Sequence, residues 1–490
     1  MTAAAAQAGP VDRWAASGAI AAGLAIAARS SGLSFIAVPA PCVSAAAIVD
    51  GFADQPRVAW ASGELTLAGV GSARELRGTG VDRWAQIVRA ARATELGAAV
   101  IAGESAPLAA LGEARPRWIG GAAFAPGAAD RAPWAGFGDA WFVLPRWTYV
   151  HHAGRAHLVL AVDARDAATP TRWHDELARH HAAFTARGAR PQPALVEYHR
   201  ASAGQWRDQV VAITDAIAGG ACSKIVAART CTIALAGAVR AGDLLAALDL
   251  RHAECVRVLV QPPGAGALIA ATPERLVRLE GELVRCDALA GTWSLAAPGD
   301  AAGSAATVSD RTVAEAGREL LASAKDRREH DLVVQAVRGA LADWAEVDAP
   351  EVPEVRVLRH VVHLLTPFRA RLRAPRHVLE LAGRLHPTPA VGGTPQAFAA
   401  DWIAAREPAA RGWYAAPVGW FDLAGNGELA VAIRSGVLAG NRAHLWAGAG
   451  IVAGSDPDRE LAETEVKLRA MLGALGIAGG PEHGDGVEEA

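Results

Sequence analysis

The chain has 490 residues, 51% of them hydrophobic and 20% charged, with a formal net charge of −3 at pH 7. Such a composition builds a large buried core and excludes a disordered chain, and the near-balanced charge leaves no electrostatic footprint for nucleic acid. The length allows two to four units of roughly 100–200 residues, or one large α/β fold. Of the 48 basic residues, all are arginine except Lys224, Lys325 and Lys467. Lysine can be tuned into a base and arginine cannot, so these three positions stand out. The five cysteines (Cys42, Cys222, Cys231, Cys255 and Cys286) are odd in number and lack a CxxC pair. That pattern argues against a disulfide framework or a structural zinc site and fits a reducing cytoplasm.

Residues 15–28 are apolar and rich in Ala and Gly. The run is shorter than the ~18–20 residues of a membrane span. It also follows a charged, Pro-containing start unlike that of a signal peptide, so it predicts an amphipathic or buried helix. No solenoid-type repeat is visible. Residues 35–39, 58–61 and 156–162 predict strands, and 81–96 a helix. Gly, Pro and aromatics in 120–144 predict ordered loops. A charged helical stretch at 171–187 runs into Pro and Gly at 188–193, which places a soft boundary there. The division expected is an N-terminal part (1–195), a catalytic region (196–478) and a Gly-rich, acidic, disordered tail (479–490).

Beyond the boundary, 206–217 predicts a helix that stops at Gly219-Gly220. Residues 223–235 predict a buried strand, and 267–279 a strand–turn–strand around Pro273. One long helix is expected over 312–344. A meander is expected over 418–422, 428–434 and 443–447, with Asn426-Gly427 as a hairpin signal in its first turn. A last helix is expected over 458–475.

Two helices each carry carboxylates at i, i+3, which share a face: Asp326 with Glu329, and Glu460 with Glu463. Converging, they would form a hard oxygen site suited to Mg²⁺; apart, they are solvated faces pairing with neighbouring arginines. Lys224 stands in an apolar strand, where a charge is costly to bury. It either snorkels at an edge or lines a cleft that tunes it toward a general base. Glu274 follows another apolar strand and is either a general acid or a turn residue. Gly448-Ala449-Gly450 and Gly291-Thr292 could each offer backbone N–H groups to an anion, and a tight bend would explain the first equally well. His151-His152 and His180-His181 lack metal spacing.

In order, these pieces resemble the chorismate-utilising enzymes, and among them the isochorismate synthases. The resemblance is carried by Ser-Lys-Ile-Val-Ala-Ala-Arg at 223–229, Ala-Thr-Pro-Glu-Arg-Leu at 271–276 and Ala-Leu-Ala-Gly-Thr at 288–292. It continues through Ser-Ala-Lys-Asp-Arg-Arg-Glu-His at 323–330, His-Pro-Thr-Pro-Ala at 386–390 and Gly-Trp-Tyr-Ala-Ala-Pro-Val-Gly-Trp at 412–420. Gly-Asn-Gly-Glu at 425–428, Ala-Ile-Arg at 432–434, Ala-Gly-Ala-Gly-Ile-Val at 447–452 and Glu-Thr-Glu-Val-Lys-Leu at 463–468 complete it. The resemblance implies an α/β fold of two packed β-sheets flanked by helices, with the N- and C-terminal parts sharing one fold.

It also implies roles. Lys224 matches the base that activates water for attack at C2 of chorismate, and Glu274 the acid that protonates the departing C4 hydroxyl. Glu329 and Glu463 match the direct Mg²⁺ ligands, with Asp326 and Glu460 outside them. Tyr414, Arg434, Gly448 and Lys467 match contacts to the substrate carboxylates, with Gly291, Thr292 and His363 in the same cleft. Chorismate-aminating relatives carry Gln at the position of Lys224, and the aminodeoxychorismate branch a nucleophilic Lys at that of Ala290. Salicylate synthases carry Thr near Ala390. The expectation is therefore a cytoplasmic, Mg²⁺-dependent isochorismate synthase, monomeric and without an amidotransferase subunit, a nucleic acid or a membrane as partner. Its product would feed menaquinone, a catechol siderophore or salicylate. The alternatives are a salicylate synthase with added pyruvate-lyase activity, or a catalytically idle chorismate-binding subunit.

Overall fold

The computed structural model describes residues 13–185, 192–295, 310–359 and 361–477. The predicted tail at 479–490 and residues 188–191 of the predicted break lie outside the described residues. Two long antiparallel strands, Leu65–Gly78 and Ala140–His152, organise the fold and pair from Leu65↔His152 to Gly78↔Ala140. Two sheets grow from this pair. One continues from residues 65–70 through Arg57–Ser62, Val256–Gln261, Ala267–Thr272, Ser435–Ala439 and Arg442–Val452 to Lys224–Leu235. The other continues from residues 140–143 through Arg117–Ala122, Pro417–Asp422, Gly427–Val431, Arg275–Glu280 and Leu283–Ser294 to Val361–Leu372.

The inner faces of the sheets meet in one apolar cluster. It holds Val58, Ile225, Val258 and Ala270 of the first sheet and Val277, Ala288, Phe368 and Leu429 of the second. Leu244 and Leu248 of the helix Ala241–Arg251, with Leu468 and Met471 of the helix Pro457–Ala474, cover Ile233 and Leu445 on the outer face of the first sheet. Each such side chain contributes about 1.5–3 kcal/mol by leaving water. The expected architecture of two packed sheets flanked by helices is the one observed. N- and C-terminal strands interleave in both sheets, since Arg57–Ser62 pairs with Val256–Gln261 and Arg117–Ala122 with Pro417–Asp422.

Four local expectations are corrected. The helix expected over 81–96 is Arg83–Arg92, because Leu96–Ile101 leaves it to pair in parallel with Leu33–Ala40. The loop expected over 120–144 is strand at both ends, with Trp141 and Phe142 buried in the core. The helix expected over 312–344 is two, Asp310–Ala322 and Ala324–Leu341. Ser323 divides them in an extended conformation and caps the second, accepting from the Asp326 N–H at 3.3 Å. The expected meander is split between sheets. Gly427–Val431 belongs to the second sheet and the unforeseen strand Ser435–Ala439 to the first, so residues 432–434 cross between them.

Candidate active site

Strands of both sheets contribute to the wall of a cavity of about 650 Å³, its open mouth included. Glu274, Gly291, Thr292, Glu329, His363, Ala390, Tyr414, Arg434, Gly448 and Lys467 all line it. Of the other expected site residues, Lys224 lies behind this wall, fully buried and joined to Glu329, while Asp326, Glu460 and Glu463 sit outside the lining on the same two helices.

The three lysines share one arrangement: each is ion-paired with a carboxylate of the two acidic pairs. Lys224 Nζ lies 2.9 Å from Glu329 Oε1, Lys325 Nζ 2.6 Å from Glu460 Oε1, and Lys467 Nζ 2.5 Å from Glu463 Oε1. The fourth carboxylate, Asp326, accepts from the Ser323 hydroxyl. Burial and the charge of Glu463 push the Glu460 carboxyl above its ordinary range, although Lys325 opposes them. Burial also raises Asp326, and Glu329 and Glu463 add to the rise. Burial acts against the ionised Glu463 as well, but the Lys467 ammonium outweighs it and holds that carboxyl low. Four oxygen donors that repel one another from two helices are a hard-ligand set with negative charge to offset, which fits Mg²⁺.

Glu274 occupies the turn between Ala267–Thr272 and Arg275–Glu280, only 3% exposed. Burial pushes its carboxyl up to about 8, against the pull of Lys224, Lys467 and Arg434. It therefore carries a proton at neutral pH that it can donate. Burial also drives His363 down to about 3, helped by Arg434, so the ring is neutral. Its Nδ1 lies 3.0 Å from the Gly291 carbonyl and 3.2 Å from Thr292 Oγ1, while Arg434 donates to Nε2 at 3.3 Å. That arrangement places the imidazole proton on Nδ1.

Local backbone features aim these groups. The ladder between Leu283–Ser294 and Val361–Leu372 slips between Ala290 and Thr292, and Gly291 takes up the bulge with φ +73°. Arg434 has φ +50° in the crossing between sheets, a conformation that costs a non-glycine residue about 1–2 kcal/mol. A straight strand over 428–434 would not turn its guanidinium toward His363.

Gly448-Ala449-Gly450 lies within the strand Arg442–Val452, not after it as expected. Its glycines provide space. A Cβ on Gly448 would stand 3.1 Å from the Tyr414 hydroxyl, and one on Gly450 2.3 Å from Glu329 Oε1 and 2.8 Å from Lys224 Cε. The role of Gly450 was missed, although its i, i+2 spacing from Gly448 places both on one strand face. Also missed was the buried pair Glu407–Arg411. Arg411 donates to the carbonyls of Val226 and Val391, both cavity-lining residues, and Glu407 accepts from the Ala228 N–H at 3.1 Å. The i, i+4 spacing of the two was the available signal.

A cavity that combines a protonated carboxyl, a neutral imidazole and buried cations, with a carboxylate cluster beside it, is an enzyme site for a small, polyanionic substrate. Comparison with known proteins makes this specific. Residues 26–476 match the model of a family described as chorismate binding enzyme. The chain is 36% identical over 436 residues to the salicylate biosynthesis isochorismate synthase of Pseudomonas aeruginosa, which spans 87% of this chain and 86% of that protein. It is 39% identical over 255 residues to the isochorismate synthase EntC of Escherichia coli K12, or 52% of this chain and 62% of EntC. The solved structure of MenF, the menaquinone-specific isochorismate synthase from Escherichia coli, aligns with a TM-score of 0.72 and 26% identity over 91% of this chain and 95% of MenF. The chain belongs to the chorismate-binding enzymes.

Proposed function

We propose that this chain is an Mg²⁺-dependent isochorismate synthase. In this reaction water adds at C2 of chorismate, the ring double bonds shift, and the C4 hydroxyl leaves as water, so that substrate and product are isomers. The observation that carries the reading is Glu274, a buried carboxyl with a raised pKa, in one cavity with the Glu329 to which Lys224 is bound. Addition at one ring carbon and departure at another require a base and an acid on separate groups. Lys224 serves as the base toward water. The Glu329 carboxylate holds its Nζ in place at 2.9 Å. Glu274 donates its proton to the leaving hydroxyl. Arg434 and Lys467 bind the substrate carboxylates, and neutral His363 orients Arg434 through Nε2.

Mg²⁺, held by Glu329 and Glu463 with Asp326 and Glu460 outside them, would supply the positive charge that fixes the ring carboxylate. Ala290 and Ala390 leave the cavity without an additional nucleophile at the two positions where relatives with other chemistries carry one or a hydroxyl. Chromatography of products after incubating the protein with chorismate, with and without Mg²⁺, tests the reading. Isochorismate formed in the Mg²⁺ sample is the expected result. Salicylate with pyruvate would replace the reading by a lyase, and tight chorismate binding without turnover would replace it by an idle subunit.

A further inference from the structure

Among the described residues, the group of three His, Cys, Asp or Glu side chains whose ligand atoms lie within 4.8 Å of one another is not the acidic cluster of the active site. It is His252, Glu254 and Cys255. These residues form the turn between the helix Ala241–Arg251 and the strand Val256–Gln261, closed by the Cys255 N–H donating to the His252 carbonyl at 3.0 Å. His252 and Cys255 are each 6% exposed. Glu254 Oε1 stands 3.8 Å from His252 Nδ1 and 3.8 Å from Cys255 Sγ. Bond lengths of ~2.0 Å for nitrogen or oxygen and ~2.3 Å for sulfur give tetrahedral ligand separations of about 3.3 Å (N–O) and about 3.5 Å (S–O) around zinc. The two Glu254 separations therefore need to close by about 0.3–0.5 Å, with all three ligand atoms already within 4.8 Å of one another.

We infer that this turn is a second metal site, separate from the Mg²⁺ cluster, that takes a borderline-soft divalent cation of the Zn²⁺ class through His252 Nδ1, Glu254 Oε1 and Cys255 Sγ. The ligand chemistry separates the two sites, since imidazole and thiolate select zinc-like ions and carboxylates alone select magnesium. All three residues line a cavity of about 360 Å³, which leaves room for a fourth ligand such as water. On binding, the Cys255 S–H bond breaks, the proton passes to solvent and the thiolate coordinates the ion. Burial raises the thiol to about 12, while Arg434, Arg257 and Arg356 pull it down; the ion supplies the remaining stabilisation of the thiolate. Thiolate and carboxylate together neutralise the dication, so it can bind among these arginines. Arg434 and Lys467 wall both this cavity and the catalytic one, so an ion here adjoins the groups proposed to hold the substrate.

The test is titration of the metal-stripped full chain with Co²⁺ in the presence of Mg²⁺. The expected result is a thiolate-to-cobalt charge-transfer band that saturates at one equivalent and is displaced by Zn²⁺. Cys255→Ser should abolish the band. Glu254→Gln, at an exposed position, should weaken Co²⁺ binding roughly tenfold or more. Glu329→Gln and Cys42→Ser should leave the band intact, since the first lies in the other site and the second is the exposed thiol. No band in the wild-type protein, a band that survives Cys255→Ser, or a band lost with Cys42→Ser would overturn the assignment.

Discussion

Lys224 is fully buried and its ammonium is ion-paired with Glu329. An arginine in its place keeps the charge but cannot accept a proton from water. Lys224→Arg should therefore lower kcat by about 10²–10⁴-fold, a loss typical of removing a general base. A near-normal kcat in that variant would remove Lys224 from the role. In its proposed role Glu274 has the opposite requirement, since it would act while protonated. With its carboxyl near 8, kcat should fall as pH rises through about 8, and Glu274→Gln should abolish that limb together with most activity. The same shift governs stability. A folded-state value raised above the ordinary 4.5 gives a contribution fully present below that pH and lost as pH rises through about 8. Urea midpoints of wild type and Glu274→Gln should therefore converge or cross between about pH 5 and about pH 9; a difference independent of pH would contradict the shift. At this scale most of the site was legible, because residue types that can act as base, acid and hard ligand are few and stand in order along the chain. The partners of Lys224 and Lys325 were not legible, because each meets its carboxylate only when separate elements pack, whereas Glu463 and Lys467 stand at i, i+4 on one helix.

The strand Arg442–Val452 and the helix Ala324–Leu341 show what an element adds to those residues. Gly450 leaves the space in which Lys224 meets Glu329. In Gly450→Ala the new methyl first meets the ends of the Glu329 and Lys224 side chains rather than backbone, so the protein should fold while the pair is displaced. Loss of kcat on the order of 10²-fold with an unchanged circular dichroism spectrum is expected, and unchanged kcat would remove Gly450 from the site's construction. Ser323 shows why one helix was expected where there are two. Helical periodicity continues through it, and its extended backbone and capping bond to the Asp326 N–H mark the break. The Glu407–Arg411 pair fastens the strand Lys224–Leu235 to the segment bearing Val391. Breaking it with Glu407→Gln leaves a buried guanidinium without its counter-charge. A cost of about 3–5 kcal/mol is expected in denaturant unfolding. A cost below about 1 kcal/mol would show that the pair is not a structural tie.

For the whole molecule, the decisive feature is that early and late strands share both sheets. Periodicity located nine of the 22 described strands and not their distant neighbours, since partners separated by hundreds of residues leave no local mark. This is why the sequence suggests a soft break near residue 190 while the interleaving leaves no local mark. Strands from both sides of that break share one apolar cluster, so the protein should unfold in one cooperative transition. Two transitions by calorimetry would contradict that coupling. The cavity is walled by strands of both sheets, and its contents come from strands, turns and helices spread over most of the second half of the chain. The most direct test of the account is therefore made on the intact chain: turnover of chorismate in heavy-oxygen water with Mg²⁺, followed by mass analysis of the product. The account predicts isochorismate carrying one heavy oxygen at C2, absent when Mg²⁺ is removed; unlabelled isochorismate, or salicylate and pyruvate in its place, would contradict it.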